Sequence, residues 1–288
     1  MEVKDTFFSK KAGININGAL IDISNPCVMG IVNITPDSFY PGSRFTETTA
    51  ILKRVEQIIN EGGKFIDIGA FSSRPGAAEV DESTEKERLR EALTEIRKNF
   101  QDIVISLDTY RASVAEWAVN EFGVGIINDI SGGTLDDRMF PTISRLKVPY
   151  ILMHMRGMPE NMQEHTQYAN VVKDVIKELS TKVQKLKELS VNDIIIDPGF
   201  GFAKTIEQNY QLLNHFEMFQ IFELPVLAGL SRKSLIYKVL HNTPADALTG
   251  TIVLNTVALL KGVNILRVHD VREAVETIEI VNHLRQNG

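Results

Sequence analysis

Short apolar runs alternate with longer segments of helical periodicity along most of this chain. Residues 193–204, with the sequence DIIIDPGFGFAK, show the pattern clearly: three isoleucines lead to a carboxylate, Asp197, and then to a loop rich in glycine and phenylalanine. A continuous apolar run of this kind is typical of a strand that is buried on both faces. We predict such strands at residues 27–33, 64–69, 103–108, 125–129, 150–154, 194–197, 226–230 and 264–269.

The segments between these strands carry apolar residues three and four positions apart, which places them on one face of a helix. In residues 85–100 this face contains Leu89, Ala92, Leu93 and Ile96. Residues 171–189 repeat the spacing. In the last predicted helix, Asp270 and Glu273 stand at the positions of a capping box, so we expect Asp270 to cap it.

Eight alternations of strand and helix predict an α/β protein with a (β/α)8 TIM barrel. A doubly wound open sheet is the alternative, and it is weakened because no G-x-G-x-x-G follows the first predicted strand. Before the barrel, Asn17-Gly18 lies between apolar runs, which predicts a short N-terminal β-hairpin. We expect a single domain over residues 1–288, with the hairpin in residues 1–24 and the barrel in residues 25–288.

Composition and net charge favour small molecules as ligands over nucleic acid or a membrane. The chain of 288 residues contains 43% hydrophobic and 24% charged residues, and its formal net charge is −6. This balance gives no electrostatic attraction to nucleic acid or to an anionic membrane, so we expect neither as a partner. The N-terminal segment does not resemble a signal peptide, and the single cysteine, Cys27, cannot form an internal disulfide. We therefore predict a cytoplasmic protein in which Cys27 is a core residue.

Polar residues end nearly all of the predicted strands. In a (β/α)8 barrel the C-terminal ends of the strands meet at one mouth, where catalytic and binding residues lie. We therefore expect the following side chains to share that mouth: Asn33, Asp67, Asp108, Asn128, Asp129, His154, Asp197, Ser231, Arg232, Lys233, Arg267 and His269.

The chemistry of the candidate side chains divides them into two groups. Carboxylates accept hydrogen bonds from ring N–H and amino groups, and an amine donates to a carbonyl, so one group suits a flat heterocycle. That group contains Asp108, Asn128, Asp197 and Lys233. Guanidinium, imidazole and amide groups suit a phosphate or pyrophosphate, with magnesium held mainly by phosphate oxygens and water. That group contains Asn33, Arg74, Arg267 and His269.

Lys233 and two long loops allow further interpretations. A lysine at the end of a barrel strand is also the nucleophile of Schiff-base enzymes, but the neighbouring Arg232 and the carboxylates favour binding over aldolase chemistry. The loops at residues 35–44 and 70–80 are rich in proline, glycine and serine. This composition is typical of lids that close over a substrate, and solvated surface loops are the alternative.

Several motifs in one order make the chain resemble the dihydropteroate synthase family of folate biosynthesis, the target of sulfonamides. They are GIVNITPDSF, DIGAFSSRPGA, SLDT, INDISGG, MHM, DPGFGF, GLSRKS and LRVHDV, and they span the chain after the hairpin. The resemblance implies a transferase with a (β/α)8 fold and Mg2+ as cofactor. It also implies a reaction that joins 6-hydroxymethyl-7,8-dihydropterin diphosphate to p-aminobenzoate, with 7,8-dihydropteroate and pyrophosphate as products.

The resemblance implies a role for each candidate residue as well. The pterin would bind to Asp108, Asn128, Asp197 and Lys233. The pyrophosphate would bind to Asn33, Arg74, Arg267 and His269, with magnesium at Asn33. The p-aminobenzoate would bind to Phe39, Ser73, Pro75, Phe202 and Ser234. The catalytic residues would be Asp108, Lys233, Arg267 and His269.

For the reaction we expect a dissociative, SN1-like path, because an electron-rich dihydropterin can delocalise the positive charge left by the departing pyrophosphate. Arg74, Arg267, His269 and magnesium would stabilise the leaving group. Asp108 would favour the cation and Asp197 would anchor the pyrimidine edge. Closure of both loops would exclude water.

The chain departs from the common family pattern in its two loops. The segment 70–73 reads Ala-Phe-Ser-Ser where Gly-Glu-Ser-Thr is common, and Tyr40-Pro41 replaces a more polar pair.

Two other functions stay open on this scaffold: a methyltransferase domain that transfers a methyl group from a folate to a corrinoid, and a non-catalytic pterin-binding protein. The basic residues of the phosphate group and the SRKS run argue against the first, and the retained Lys233 argues against the second.

We expect a homodimer for two reasons. The predicted helix at residues 247–260 is largely apolar, and members of the family commonly form dimers.

Overall fold

The computed structural model describes residues 13–34, 44–70 and 80–287. Two antiparallel strands come first, β1 (Gly13–Ile16) and β2 (Ala19–Asp22). The turn between them has φ of 51° at Asn17 and 86° at Gly18, as a two-residue type I′ hairpin turn requires. The predicted N-terminal hairpin is therefore confirmed.

Eight parallel strands form the main sheet. They are β3 (Cys27–Asn33), β4 (Phe65–Gly69), β5 (Val104–Asp108), β6 (Ile126–Asp129), β7 (Tyr150–Met153), β8 (Ile194–Asp197), β9 (Leu227–Ala228) and β10 (Ile265–Val268). Neighbouring strands pair in the order β8-β7-β6-β5-β4-β3-β10-β9, and a parallel bridge between Ile196 and Val226 joins the two edges. The sheet is a nearly closed barrel, so the (β/α)8 prediction is confirmed and the open doubly wound sheet is wrong.

Helices connect the strands and cover the outside of the barrel. They are α1 (Arg44–Asn60), α2 (Glu82–Asn99), α3 (Ala112–Phe122), α4 (Met139–Leu146), α5 (Val171–Glu188), α6 (Ile206–Asn214), α7 (Ser234–Tyr237), α8 (Leu248–Leu260) and α9 (Val271–Gln286). Short 3-10 helices lie at Met162–Glu164, Phe216–Phe222 and Pro244–Asp246. Over the residues that the structure describes, none of the helices has the length and apolar character needed to cross a membrane.

Strand β9 is shorter than the predicted segment 226–230. Pro225 has no amide proton, and the N–H of Val226 donates to the side-chain Oδ1 of Asn264 at 3.1 Å. The carbonyl of Val226 accepts the backbone amides of Asn264 at 2.8 Å and Ile265 at 3.2 Å, and the regular pairing of β9 with β10 covers Leu227 and Ala228.

The inside of the barrel changes from apolar to polar along its axis. At the N-terminal end, Ile14 and Ile16 of the hairpin belong to one buried cluster with Met29 and Phe65 of the barrel strands. The hairpin therefore closes this end. Asp67 lies two residues after Phe65, on the same side of β4. Polar side chains continue from this layer to the C-terminal mouth.

Asp270 does not cap α9, so the expected capping box is wrong. Its carboxylate instead accepts two hydrogen bonds from Arg232, at 2.9 Å from Nε and 2.8 Å from Nη2. A bidentate pair with a guanidinium holds both oxygens away from the helix amides.

Candidate active site

A buried carboxylate lies at the centre of the polar layer. Asp67 of β4 is 1% exposed. Its Oδ1 accepts a hydrogen bond from Ser106 Oγ at 2.6 Å, and its Oδ2 accepts from Asn128 Nδ2 at 2.9 Å and from Arg267 Nε at 2.6 Å. These donors belong to β5, β6 and β10, so Asp67 connects side chains from both sides of its own strand.

Arg267 also contacts the carboxylate that ends β5. Its Nη2 donates to Asp108 Oδ2 at 3.1 Å, whereas Asp108 Oδ1 is buried with no hydrogen-bond partner in the described part of the chain. Burial raises the pKa of Asp108 to about 7; the positive charge of Arg267 opposes this rise and the negative charge of Asp67 adds to it. Asp108 therefore has an acceptor oxygen available for a ligand and changes its charge near neutral pH.

Asp197 ends β8 and is fixed by the glycine-rich loop that follows. Its Oδ1 accepts the N–H of Gly199 at 2.7 Å. Gly199 has φ of 72°, and a Cβ there would lie 2.0 Å from the carbonyl oxygen of His154, so only glycine fits. Burial raises the pKa of Asp197, and the positive charge of Lys233 opposes that rise.

Lys233 lies beside Asp197 at the mouth. Its Nζ donates to the carbonyl of Phe200 at 2.6 Å and lies 4.8 Å from the ring centroid of Phe202. Burial lowers the pKa of Lys233 to about 8, and the carboxylate of Asp197 opposes this fall. Lys233 is thus mainly an ammonium at neutral pH, which donates to a ligand carbonyl, whereas a Schiff base requires the neutral amine.

Lys204 has a positioning role that the sequence did not reveal. Its Nζ is fully buried, donates to the carbonyls of Gly199 and Phe202 at 2.9 Å each, and lies 3.0 Å from His154 Nδ1. The ionised carboxylate of Glu178 only accepts, so His154 Nε2, 3.0 Å from it, carries the ring proton and Nδ1 accepts from Lys204. His154 was expected at the mouth as a candidate ligand, but it supports the loop instead.

His269 is held from two sides. Its Nδ1 lies 3.0 Å from Ser231 Oγ, and the backbone N–H of His269 donates to the same oxygen at 3.2 Å. Arg54 donates from Nη2 to the carbonyl of His269 and from Nε to that of Ile31 at 3.3 Å. Burial, aided by the charge of Arg267, lowers the pKa of His269 to about 4, so its imidazole is neutral at pH 7.

Arg232 was expected at the mouth, but its side chain bonds to other protein groups. Besides its pair with Asp270, it donates from Nη1 to the carbonyls of Pro244 and Ala245. These partners lie in the 3-10 helix Pro244–Asp246 and at the start of α9. Arg232 therefore stabilises the connection around α7 and α9.

Asp129 likewise serves the fold and not the mouth. Its oxygens accept from the N–H and Oγ of Ser131 at 2.7 Å each, from the N–H of Gly133 at 2.8 Å and from Tyr150 OH at 2.7 Å. With four donors, this carboxylate has little capacity left for a ligand.

Three further candidates lie at or near the mouth. Asn33 is exposed at the end of β3, and Phe202 is buried in a cluster with Met153 and Met155. Ser234 is the first residue of α7, a helix of only four residues whose dipole is correspondingly small. The candidates Phe39, Ser73, Arg74 and Pro75 lie outside the described residues.

A nearly closed (β/α)8 barrel, with carboxylates, a guanidinium and an ammonium group at the C-terminal ends of its strands, defines a barrel enzyme that binds a small polar ligand. Residues 29–269 match the profile of the family described as pterin binding enzyme. The chain is 36% identical over 266 residues to dihydropteroate synthase from Escherichia coli (strain K12), which covers 92% of this chain and 93% of that protein.

Solved structures agree with this relationship. The dihydropteroate synthase of Yersinia pestis in a sulfonamide complex superposes with a TM-score of 0.87 at 35% identity, covering 95% of this chain and 99% of the other. The Xanthomonas albilineans enzyme with 4-aminobenzoic acid superposes with a TM-score of 0.86 at 31% identity, covering 95% and 98%. The chain belongs to the pterin-binding enzyme family and, within it, to the dihydropteroate synthases, which are transferases.

Proposed function

We propose that this protein condenses 6-hydroxymethyl-7,8-dihydropterin diphosphate with p-aminobenzoate, and releases 7,8-dihydropteroate and pyrophosphate. The observation that carries the proposal is the set of polar side chains around Asp67 and Asp197, on a barrel related over nearly its whole length to dihydropteroate synthases. The relationship favours this reaction over the methyltransferase and the non-catalytic alternatives.

The pterin ring is the part of the substrate that this polar layer suits best. Asp197 would accept hydrogen bonds from a ring N–H and the neighbouring amino group, and Lys233 would donate to the ring carbonyl. Asp108 Oδ1, which is buried and unpaired in the described part of the chain, would accept a further ring N–H. Each of these bonds joins a charged protein group to a ring atom of the opposite hydrogen-bonding type.

The diphosphate would be bound by Arg267 and His269, with Asn33 and Arg74 completing the site. Arg267 uses Nε and Nη2 for carboxylates, so Nη1 would contact a phosphate oxygen. A neutral His269 would donate one hydrogen bond. Together these donors would stabilise the negative charge that develops on the leaving group.

Magnesium is the cofactor that we propose for the diphosphate. Across the described residues, no group of three or more histidine, cysteine or carboxylate side chains is arranged to hold a metal ion. Asn33 offers one exposed, neutral amide oxygen. This donor set fits an ion held mainly by diphosphate oxygens and water, with Asn33 as its protein ligand. When bound, the ion would offset the charge of the pyrophosphate.

The carbon–oxygen bond would break before the amine attacks, because the dihydropterin delocalises the resulting positive charge. An ionised Asp108 would stabilise that cation, and Asp197 would keep the ring in place. The p-aminobenzoate would pack against Phe202 near Ser234, with Phe39, Ser73 and Pro75 as the proposed loop contacts. Exclusion of water from the mouth would direct the cation to the arylamine.

The reaction predicts that pyrophosphate release and product formation depend together on p-aminobenzoate. We expect one pyrophosphate per dihydropteroate when purified protein is mixed with pterin diphosphate, p-aminobenzoate and magnesium. Benzoate, which lacks the attacking amine, serves as the control and should give no product. Methyl transfer to a corrinoid, or pterin binding without any turnover, would exclude the proposed reaction.

We also propose that the protein forms a homodimer through α8 and α9. Leu260 on α8 and Ile280 and Leu284 on α9 are 53%, 72% and 60% exposed. Arg285 donates to the carbonyl of Leu259, which brings the C-terminal ends of the two helices together. Large apolar side chains exposed on adjacent helices are typical of an interface.

Sedimentation velocity tests the dimer. We expect the wild-type protein to sediment as a dimer and Ile280→Asp to sediment as a monomer, because a charge cannot be desolvated in an apolar interface. Leu20→Asp is the matched control, since Leu20 is 78% exposed on the hairpin. A monomeric wild-type protein, or a dimer that survives Ile280→Asp, would contradict this interface.

A further inference from the structure

We propose that Asp67 is a positioning residue for the reaction: it fixes the hydrogen-bonding polarity of Asn128 and the orientation of Arg267, and so couples the pterin-ring site to the diphosphate site. The inference rests on the proposed function and deepens it. Asp67 itself is buried, and both of its oxygens are occupied by protein donors. It would act on the reaction by orienting Asn128 and Arg267.

The contacts of Asp67 use both of its oxygens. Ser106 on β5 occupies Oδ1, while Asn128 on β6 and Arg267 on β10 share Oδ2. In the barrel, β4 is next to β5 and is separated from β10 only by β3, so these donors converge on Asp67 from opposite directions. A carboxylate that accepts three short hydrogen bonds is held in one orientation.

The first consequence concerns Asn128. An ionised carboxylate only accepts, so the group that Asn128 gives to Asp67 must be its NH2 group. The amide oxygen of Asn128 is then the atom left for a ligand. Asn128 therefore selects a ring position that carries a hydrogen-bond donor, and a flipped amide would present the wrong group to that position.

The second consequence concerns Arg267 and Asp108. Two carboxylates hold the guanidinium in one plane, Asp67 at Nε and Asp108 at Nη2. The charged groups that act on Asp108 are Arg267, Asp67, Glu85 and Asp129. Of these, Arg267 favours the ionised form of Asp108 and the three carboxylates oppose it. Loss of the charge at Asp67 would remove one of the groups that raise the pKa of Asp108. Arg267 would keep its own hydrogen bond from Nη2 to Asp108 Oδ2, so its opposing charge would stay and the pKa of Asp108 would fall.

The test compares Asp67→Asn with Ser106→Ala. The first variant removes the charge that holds Asn128 and Arg267, and the second removes one hydrogen bond but leaves the carboxylate. For Asp67→Asn we expect the affinities for 6-hydroxymethylpterin and for inorganic pyrophosphate, measured by calorimetry, each to fall roughly 10- to 100-fold. For Ser106→Ala we expect both to stay within about 3-fold of wild type.

The pH profile of kcat/KM separates positioning from a merely structural effect. The acid limb of the wild-type profile is expected near the pKa of Asp108, about 7. In Asp67→Asn this limb should move to lower pH by about half a unit or more, and in Ser106→Ala it should stay in place. A folded Asp67→Asn with an unmoved limb, or with wild-type affinity for either probe, would overturn the proposal.

A measurement on the wild-type protein keeps the proposal testable if Asp67→Asn does not fold. In NMR spectra without ligand, the side-chain NH2 group of Asn128 should exchange slowly with solvent, because one of its protons is donated to a buried carboxylate. Rapid exchange of these protons would also overturn the proposal. If wild-type protein binds both probes but makes no dihydropteroate, the proposed function fails, whereas the assignment of Asp67 is decided by binding and exchange alone.

Discussion

Asp197→Asn is expected to lower kcat/KM for the pterin diphosphate by about 100- to 1,000-fold, which corresponds to about 3 to 4 kcal/mol of transition-state stabilisation. The carboxylate of Asp197 would accept two hydrogen bonds from the ring, and an amide offers only one acceptor oxygen beside an NH2 group that repels a ring donor. The same substitution removes the negative charge that lies beside Lys233. Both changes weaken the binding of the ring in the ground state and in the transition state.

Steady-state kinetics with both substrates, together with calorimetry for 6-hydroxymethylpterin, measures this effect. Asp102→Asn is the matched control, because Asp102 is an exposed carboxylate just before β5, at the opposite end of the barrel. The control should keep wild-type kinetics. Turnover of Asp197→Asn close to that of the wild-type protein would refute the role of Asp197 as the anchor of the ring.

The strand pattern predicted the barrel because a strand that is buried on both faces is a continuous apolar run in the sequence. The end of β8 is an example: Ile194, Ile195 and Ile196 are all buried, and Asp197 follows at the mouth. The periodicity of apolar residues does not show which residue accepts the hydrogen bond of a given backbone amide. Val226 shows the limit, since its amide bonds to the side chain of Asn264, which is distant in sequence.

Four aspartates near strand ends look alike in the sequence but differ in the structure. Asp129 is occupied by four donors from its own loop and β7, and Asp67 by three donors from other strands. Asp108 keeps one oxygen without a partner among the described residues, and Asp197 accepts one amide from its loop. Only the three-dimensional neighbours separate the carboxylates that hold the fold from those available to a ligand.

Arg232 and Lys233 show the same limit at adjacent positions. Arg232 has φ of 55°, in the left-handed region, so the backbone turns sharply between the two residues. Arg232 consequently faces Asp270, whereas Lys233 faces Phe200 and the mouth. In the sequence the two residues form one basic run. In the structure Arg232 stabilises the fold, and Lys233 is a candidate catalytic residue.

Lys204→Met is expected to impair both the active site and the dependence of stability on pH. Lys204 joins the carbonyls of Gly199 and Phe202 to His154, and thereby fixes the loop that contacts Asp197 and Lys233. Without these bonds the loop is free to shift, and we expect kcat/KM to fall by about 100-fold, the usual cost of a displacement near 1 Å at a catalytic centre.

The effect on stability follows from the buried charge. Burial lowers the pKa of Lys204 from 10.5 to about 7, so in this interval the unfolded chain binds a proton that the folded protein has released. The resulting stability is complete above pH 10.5 and is lost as the pH falls through about 7. Between pH 7 and pH 9, the free energy of unfolding of the wild-type protein should therefore rise by about 2 kcal/mol more than that of Lys204→Met.

Urea denaturation of both proteins at pH 7 and pH 9 measures this difference, and the comparison cancels the contribution of Lys233, which also titrates in this range. Lys185→Met, at an exposed lysine of α5, is the control and should keep the wild-type slope and activity. If Lys204→Met kept the wild-type slope, the amine of Lys204 would have to be solvated in the folded protein. The loop after β8 would then need another support, because no buried amine would hold its carbonyls.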